Sequence, residues 1–452
     1  MQLVAYGAQD VYLTGQPKVT FFQAVYKRHT NFAMENIQQT LNGTASSGGR
    51  VSVTIARNGD LVGNMYVRLQ PNVTNGSNTG VVVPTSTNLI ADVNWIAERA
   101  VADVELTIGG QRIDKHYQVW WRLYSELFLC DEDKMLWGKM SGCSSSPLNT
   151  TTGGTAPSVF LPLLFFFNRN PGLYLPLIAL QYHEVRLDFN LTSYFSTFFV
   201  SSVFEVWANY VYLDTEERRR FAQKGHEYLI EQLQHTGADQ VTIGTSTPIR
   251  LSYNHPVKEL IWCYTNPNYP GTITSGGVGT NLNSMWNFTS NCANVNITSN
   301  LAAFVSSNNF VIPHHIGTPH IYTNAALPAS NVFWTEDFLP QPNINEVGPL
   351  DSFKLILNGQ DRFAAQPGKY FNQVQPFYYH SGNPYPGIYA YSFGLQPEEH
   401  QPTGTCNFSR IDNAQVTPTI KVGCNTTQQR MFAVNYNILR IQSGMGGLAF
   451  SN

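Results

Sequence analysis

The feature that most constrains this chain is a faint internal repeat, because a copied segment folds into a copied module. Four pairs of segments match in the same order in its two halves. The first sets Glu35-Asn36-Ile37-Gln38-Gln39-Thr40 against Glu231-Gln232-Leu233-Gln234-His235-Thr236. The second sets Glu105-Leu106-Thr107-Ile108-Gly109-Gly110-Gln111 against Lys354-Leu355-Ile356-Leu357-Asn358-Gly359-Gln360, an alternating strand that runs into a Gly-containing tight turn. In the third, Pro171-Gly172-Leu173-Tyr174 leads to Leu180-Gln181 as Pro386-Gly387-Ile388-Tyr389 leads to Leu395-Gln396. The fourth pairs Asn209, Tyr210 and Leu213 with Asn435, Tyr436 and Leu439. The offsets differ only through changes in loop length, and loops are where insertions accumulate. A duplicated β domain follows.

Strand-length segments bounded by Gly, Asn or Pro recur on both sides of the chain. They include 50–56, 65–69 and 185–189 in the first half, and 249–253, 258–264 and 417–422 in the second. Long helical patterns are scarce. Two large all-β domains fit a length of 452 residues. Long polar stretches at 70–88, 140–157 and 266–349 lie between the strands. Lengths of that kind signal function or local structure of their own, and eight-stranded jelly rolls carry such loops at one end of the sandwich. The charge-dense segment Asp214-Thr215-Glu216-Glu217-Arg218-Arg219-Arg220 stands out as a short helical or turn-like linker between the halves.

Charged residues make up 13% of the chain, against roughly 25% in an average soluble protein. A surface of neutral amides and hydroxyls costs far less to bury against neighbours than one of unpaired charges. The same composition also suits a secreted β protein. The net charge of -3 leaves no electrostatic footprint for nucleic acid, and the one dense basic cluster, Arg218-Arg219-Arg220, follows Glu216-Glu217 and reads as self-paired. The amino terminus has neither the basic nor the apolar region of a secretory signal, so entry into that pathway is not expected. Val159 to Phe167, interrupted by Pro162, is too short to span a bilayer and reads as a buried strand. The six cysteines are widely spaced and are expected as free thiols.

Chemistry-bearing patterns are weak. His314-His315 and His320 cluster between prolines without a nearby acidic or Cys partner, so no metal is expected there, nor any cofactor elsewhere. There is no GxSxG elbow, and Gly276-Gly277 and Gly446-Gly447 lack the lysine of a phosphate-binding loop. His183-Glu184 reads as a partly exposed strand end. An enzyme is not expected.

Gly7-Ala8-Gln9-Asp10-Val11-Tyr12-Leu13-Thr14-Gly15, followed by Thr20-Phe21-Phe22 and Tyr26-Lys27-Arg28-His29-Thr30-Asn31-Phe32, resembles the opening of the major capsid proteins of large DNA viruses. Gly109 to Tyr117, Pro176 to Val185, Leu357 to Phe363 and Ser443 to Ala449 are similar to that family too, most of all to its algal-virus (chlorovirus and phycodnavirus) members. The resemblance implies an all-β chain of two tandem eight-stranded antiparallel jelly rolls with long loops. It also implies a homotrimer of pseudo-hexagonal outline that meets neighbouring capsomers and minor capsid proteins in the virion shell, over an inner membrane, after assembly in the host cytoplasm. The expected division is an N-terminal arm at 1–26, a first roll at 27–213, a linker at 214–225 and a second roll at 226–452.

Within the arm, Phe21, Phe22 and Tyr26 are candidate assembly anchors, because aromatics bury much area at low entropic cost; they equally suit the start of the first core. Nine N-x-S/T sequons occur where roughly six or seven would arise by chance. Some relatives carry surface glycans, so Asn287 and Asn296, in the long second-half insertion, are the candidate glycan sites. The alternative function is a carbohydrate-binding or host-attachment β protein, since jelly rolls also serve as lectins. A single-roll minor capsid protein fits the duplication poorly.

Overall fold

The structure is a computed structural model, which describes residues 18–19, 24–25, 28–71, 95–142, 158–193, 195–265, 321–322, 333–334, 348–384, 387–422 and 428–450. The first half builds eight principal strands: β1 (Phe32–Gln38), β2 (Arg50–Thr54), β3 (Leu61–Pro71), β4 (Val101–Ile108), β5 (Gln111–Tyr117), β6 (Val159–Pro162), β7 (Val185–Leu191) and β8 (Phe199–Leu213). They form two antiparallel sheets, β1-β8-β3-β6 and β2-β7-β4-β5. The second half repeats the plan with β9 (His226–Gln234), β10 (Ile249–Leu251), β11 (Pro256–Thr265), β12 (Leu350–Leu357), β13 (Gln360–Asp361), β14 (Ile388–Ser392), β15 (Ala414–Ile420) and β16 (Gln428–Gln442). Its sheets run β9-β16-β11-β14 and β10-β15-β12-β13, the first order with every strand replaced by its counterpart. This is the double jelly roll.

The repeats fall on matching registers. Glu35 lies opposite Tyr210 in the first roll, and Glu231 lies opposite Tyr436 in the second, so the first and fourth matches are two sides of one ladder, copied whole. The β4–β5 and β12–β13 hairpins also share a turn. Gly109 and Gly110 have φ of 57° and 82°, Asn358 and Gly359 have 52° and 76°, and this double left-handed conformation belongs to type I′ turns and selects Gly and Asn. The third match diverges locally. Pro171–Leu173 forms a 3-10 turn before a short strand, Leu175–Pro176, paired with Val62 and Leu61, whereas Ile388 and Tyr389 of its counterpart already lie in β14.

Helices are more prominent than the sequence suggests. After β5 the chain forms α1 (Gln118–Leu127) and α2 (Asp131–Ser141), and the halves are joined by α3 (Thr215–Gln223). The apolar run from Val159 is a strand only as far as Pro162, then turns into a short helix at Phe166–Arg169. Leu163 to Phe167 are nonetheless buried. Helix α3 carries Glu216 and Glu217 in its first turn and Arg220 in its last, which complements its dipole. Arg218 fastens it to Asp60 of the first roll at 2.9 Å.

Each roll has an apolar interior. The second is built around Trp262, whose ring lies 4.4 Å from Phe353, 5.4 Å from Phe371 and 5.7 Å from Tyr389. On β11, Leu260, Trp262 and Tyr264 face this core while Ile261 and Cys263 join the cluster of the first roll. A strand buried on both faces needs a continuous apolar run, which Leu260-Ile261-Trp262-Cys263-Tyr264 supplies.

Candidate functional site, the seam between the rolls

The apolar cluster of the first roll continues without a break into Ile230, Leu233, Ile261, Ile388, Phe432, Val434, Leu439 and Ile441 of the second. The two rolls are thus packed core to core. Helix α1 and the end of β5 present Tyr117 and Trp120 to Phe432 at 6.1 and 5.7 Å, and His235 stacks on Phe432 at 4.3 Å. Burial holds the His235 imidazole below its ordinary pKa, so it stays neutral in the stack.

Three segments that carried the family resemblance converge on one end of this seam. The hairpin from β16 into β17 (Met445–Leu448) lays Gly444 and Gly446 against the loop before β7. Tyr182 N–H donates to the Gly444 carbonyl at 3.0 Å, and the His183 ring meets the Gly446 backbone at 2.8 Å. Leu448 N–H donates to Gln111 Oε1 at 3.2 Å beside the β4–β5 turn. A Cβ on Gly446 would strike Leu180, which is why glycine stands there. His183, expected at a partly exposed strand end, is therefore a joint between the rolls.

The centre of the seam is polar and paired. Glu231 on β9 accepts from Arg169 of the first roll at 2.9 Å and from Lys258 of β11 at 2.6 Å, and Lys258 also reaches the Pro397 carbonyl at 2.6 Å. Burial alone would push the Glu231 carboxyl up, but the two cations outweigh it and hold it below the usual carboxylate range. Next to it, Leu233 N–H donates to Asp114 Oδ1 at 2.9 Å, and the Gln232 amide donates to the Ile113 carbonyl. Further along, His380 sits 3.4 Å from both Glu259 and Glu398 with Phe128 of the first roll edge-on to its ring at 5.2 Å. Burial pushes the Glu259 carboxyl up.

The helical corner of the first roll is braced by its own charges. Arg122 lies over the Trp95 ring at 3.7 Å and pairs with Glu126 at 3.0 Å, while Glu98 accepts from Trp137 at 2.7 Å. Lys134 on α2 crosses to the Asn383 carbonyl at 2.7 Å, and Gly382 N–H donates to the Leu127 carbonyl at 2.9 Å. A Cβ at Gly382 would collide with the Glu126 and Leu127 carbonyl oxygens. Gly382→Ala is therefore expected to destabilise the chain by about 1–3 kcal/mol, as overpacking does, read as a lowered denaturant midpoint. An unchanged midpoint would mean that this contact does not hold the seam.

None of the other sequence candidates joins this site. Phe21, Phe22 and Tyr26, Asn287 and Asn296, and the histidines at 314, 315 and 320 lie outside the described residues. Among the described residues Cys130, Cys263 and Cys406 are free, and burial pushes the Cys263 thiol in the seam up to about 12. Sequence reading missed Glu231, Lys258 and Arg169. A signal existed in Lys258-Glu259, two charges set inside an otherwise apolar strand.

Two copies of one sandwich, welded into a single body by an apolar seam with a paired polar centre, define a double jelly-roll protein. Comparison with known proteins agrees. A family model described as large eukaryotic DNA virus major capsid protein matches residues 217–447, and one described as major capsid protein N-terminus matches residues 20–214. The chain is 42% identical to the major capsid protein of Paramecium bursaria Chlorella virus 1, over 100% of this chain and 99% of that one. It is 39% identical to the major capsid protein of Phaeocystis pouchetii virus, with the same coverage. A chain of the quasi-atomic PBCV-1 virus capsid superposes with a TM-score of 0.69 at 38% identity, covering 96% of this chain and 100% of that one. The Faustovirus major capsid protein, at 13% identity and a TM-score of 0.63, shares the fold.

The chain belongs to the major capsid protein family of large eukaryotic DNA viruses. It is a structural subunit of the virion shell, and the carbohydrate-binding alternative is not favoured.

Proposed function

We propose that three copies of this chain close into one pseudo-hexagonal capsomer, the tile from which an icosahedral shell is laid. The observation that carries this is the pair of identically ordered rolls joined by one continuous apolar seam. Three such tandems around a closed ring of head-to-tail contacts supply six quasi-equal edges. The working division is an arm at 1–26, rolls at 27–213 and 226–452, and a linker at 214–225. The ranges of the two family models support it.

In this reading the capsomer meets neighbouring capsomers and minor capsid proteins, faces an inner membrane rather than nucleic acid, and is assembled in the host cytoplasm. Phe21, Phe22 and Tyr26 anchor the arm to a neighbour or to the layer beneath, and Asn287 and Asn296 carry glycans on the outer face. Light scattering on the purified protein is expected to give the mass of three chains; a single-chain mass at high concentration would contradict the capsomer. Deleting residues 1–20 is expected to leave soluble trimers that no longer form a lattice, whereas insoluble protein would assign those residues to the core. An intact mass equal to the bare sequence would remove the glycans.

A further inference from the structure

His380 follows directly on α4 (Gln375–Tyr379) and lies in the seam with its side chain 1% exposed. A carboxyl group faces each of its ring nitrogens. Glu259 Oε2, on β11, stands 3.4 Å from Nε2, and Glu398 Oε1 stands 3.4 Å from Nδ1. The Glu259 side chain is fully buried, whereas that of Glu398 is 27% exposed. Both Glu259 carboxyl oxygens and both His380 ring nitrogens are buried atoms without a hydrogen bond from any other described residue.

The neighbouring charges are taken up by one another. Glu259 shares a small cavity with Asp114, His116, Arg169, Glu231 and Lys258, in which Lys258 and Arg169 pair with Glu231 and His116 pairs with Asp114 at 3.0 Å. On the first-roll side Lys134 pairs with Glu126 at 3.5 Å. Tyr436 on β16, whose phenol burial pushes up, stays neutral. His380 is the partner left for Glu259.

A neutral imidazole has one N–H to give and one nitrogen that accepts. Between two ionised carboxylates one of its contacts stays unmade unless the ring gains a proton, and then three charges are held where water is almost excluded. A proton on Glu259 satisfies both ring nitrogens with a single charge, on the carboxyl that solvent reaches. Burial pushes the Glu259 carboxyl up against the pull of His380 and Lys258, which acts in the same direction. Ser381 N–H donates to Glu398 Oε1 at 2.8 Å, which suits an ionised Glu398.

We propose that Glu259, His380 and Glu398 form a proton relay into the seam, in which Glu259 is a neutral acid donating from Oε2 to Nε2 and the ring donates from Nδ1 to Glu398 Oε1. Loading starts with Glu259 ionised and the ring proton on Nε2. Glu398 takes a proton from solvent and passes it to Nδ1, the ring releases its Nε2 proton to Glu259, and Glu398 is ionised as before. One proton has entered, and one negative charge between the rolls is gone. A carboxyl raised on folding contributes stability that is present below its unfolded value and is lost as pH rises through the folded one. Losing the Glu259 proton leaves a bare carboxylate behind the His380 ring that Phe128 of the first roll meets edge-on, so the seam loosens on the alkaline side. The relay is independent of how many chains assemble.

Infrared spectroscopy of the full chain over a pH series reads the proton as the carbonyl stretch of a protonated carboxyl. Wild type is expected to show at neutral pH a component of that band that Glu259→Gln lacks. Glutamine keeps a donor in the same place, so the denaturant midpoint of Glu259→Gln is expected to change less between neutral and alkaline pH. Glu398→Ala removes the acceptor of the ring and a negative charge that favours the neutral acid, so the pH at which the component disappears is expected to fall by about one unit, a tenfold change in proton affinity. Should Glu259→Gln fail to fold, this shift, at a partly exposed side chain, decides instead. A band that Glu259→Gln leaves unchanged belongs to another buried acid, such as Glu98, and overturns the proposal, as does a wild type with no band. A component lost in Glu259→Gln but unmoved in Glu398→Ala would overturn the relay.

Discussion

Replacing Glu231 with alanine is expected to destabilise the chain by about 3–5 kcal/mol, the range seen when one partner of a buried ion pair is removed. The carboxylate neutralises Lys258, whose side chain is 2% exposed, and Arg169 on the opposite roll. Without it, Lys258 keeps the Pro397 carbonyl and loses its counter-charge. The Asp114 and Ile113 contacts to the neighbouring residues of β9 remain. A guanidinium titration reads the loss, and a change under about 1 kcal/mol would mean that water reaches the cations. The triple variant Glu231→Leu with Lys258→Met and Arg169→Met is expected to recover most of it, because burying none of the three charges is cheaper than burying an unpaired one.

The same pair sets a pH dependence. The Glu231 carboxyl is held below its unfolded value, so its contribution is fully present above the ordinary carboxylate range and is lost as pH falls through the lowered folded value. Glu259 works in the opposite sense, since burial raises it and its protonated form is favoured in the folded chain. Glu231→Gln is therefore expected to flatten the acid limb of stability against pH, whereas Glu259→Gln is not.

Trp262→Ala is expected to cost about 3–5 kcal/mol, as large aromatic truncations in cores do. Its ring is fully buried between Phe353, Phe371 and Tyr389, residues from the strands and helical segment that close the second roll. The ring has no way to be replaced by local collapse, because β11 is held on its other face by Ile261 and Cys263 against the first roll. Phe377→Ala makes the contrast. At 80% exposure it is expected to leave the chain within about 0.5 kcal/mol of wild type. Equal destabilisation by the two would contradict the packing described.

Much of this was legible in the sequence, for physical reasons. Strand-pairing residues tolerate little change, so the Glu35–Tyr210 ladder survived as a match to Glu231–Tyr436. The glycine-bearing turns survived because a type I′ turn admits few other residues. What stayed hidden depends on long-range contact. Gln118-Val119-Trp120-Trp121 forms helix α1 where its apolar residues offered little to tell a helix from a buried strand, and the packing of Trp120 on Phe432 decided it. The run from Val159 read as one strand because burial, which it has, was taken for strand geometry, which it keeps only to Pro162. His183 does stand, half-buried, at the start of β7, but its joint to Gly446 stayed hidden because Gly446 is near the other end of the chain. Arg169 and Glu231 are likewise brought together only by the docking of the rolls.

The most direct measurement is a cryo-electron microscopy reconstruction of the purified capsomer, resolved far enough to trace strands. Six rolls are expected around one threefold axis, with the within-chain seam of Arg169, Glu231 and Lys258 alternating with a contact between chains. A ring in which chains touch through one roll only, or in which the linked rolls stand apart, would contradict the account.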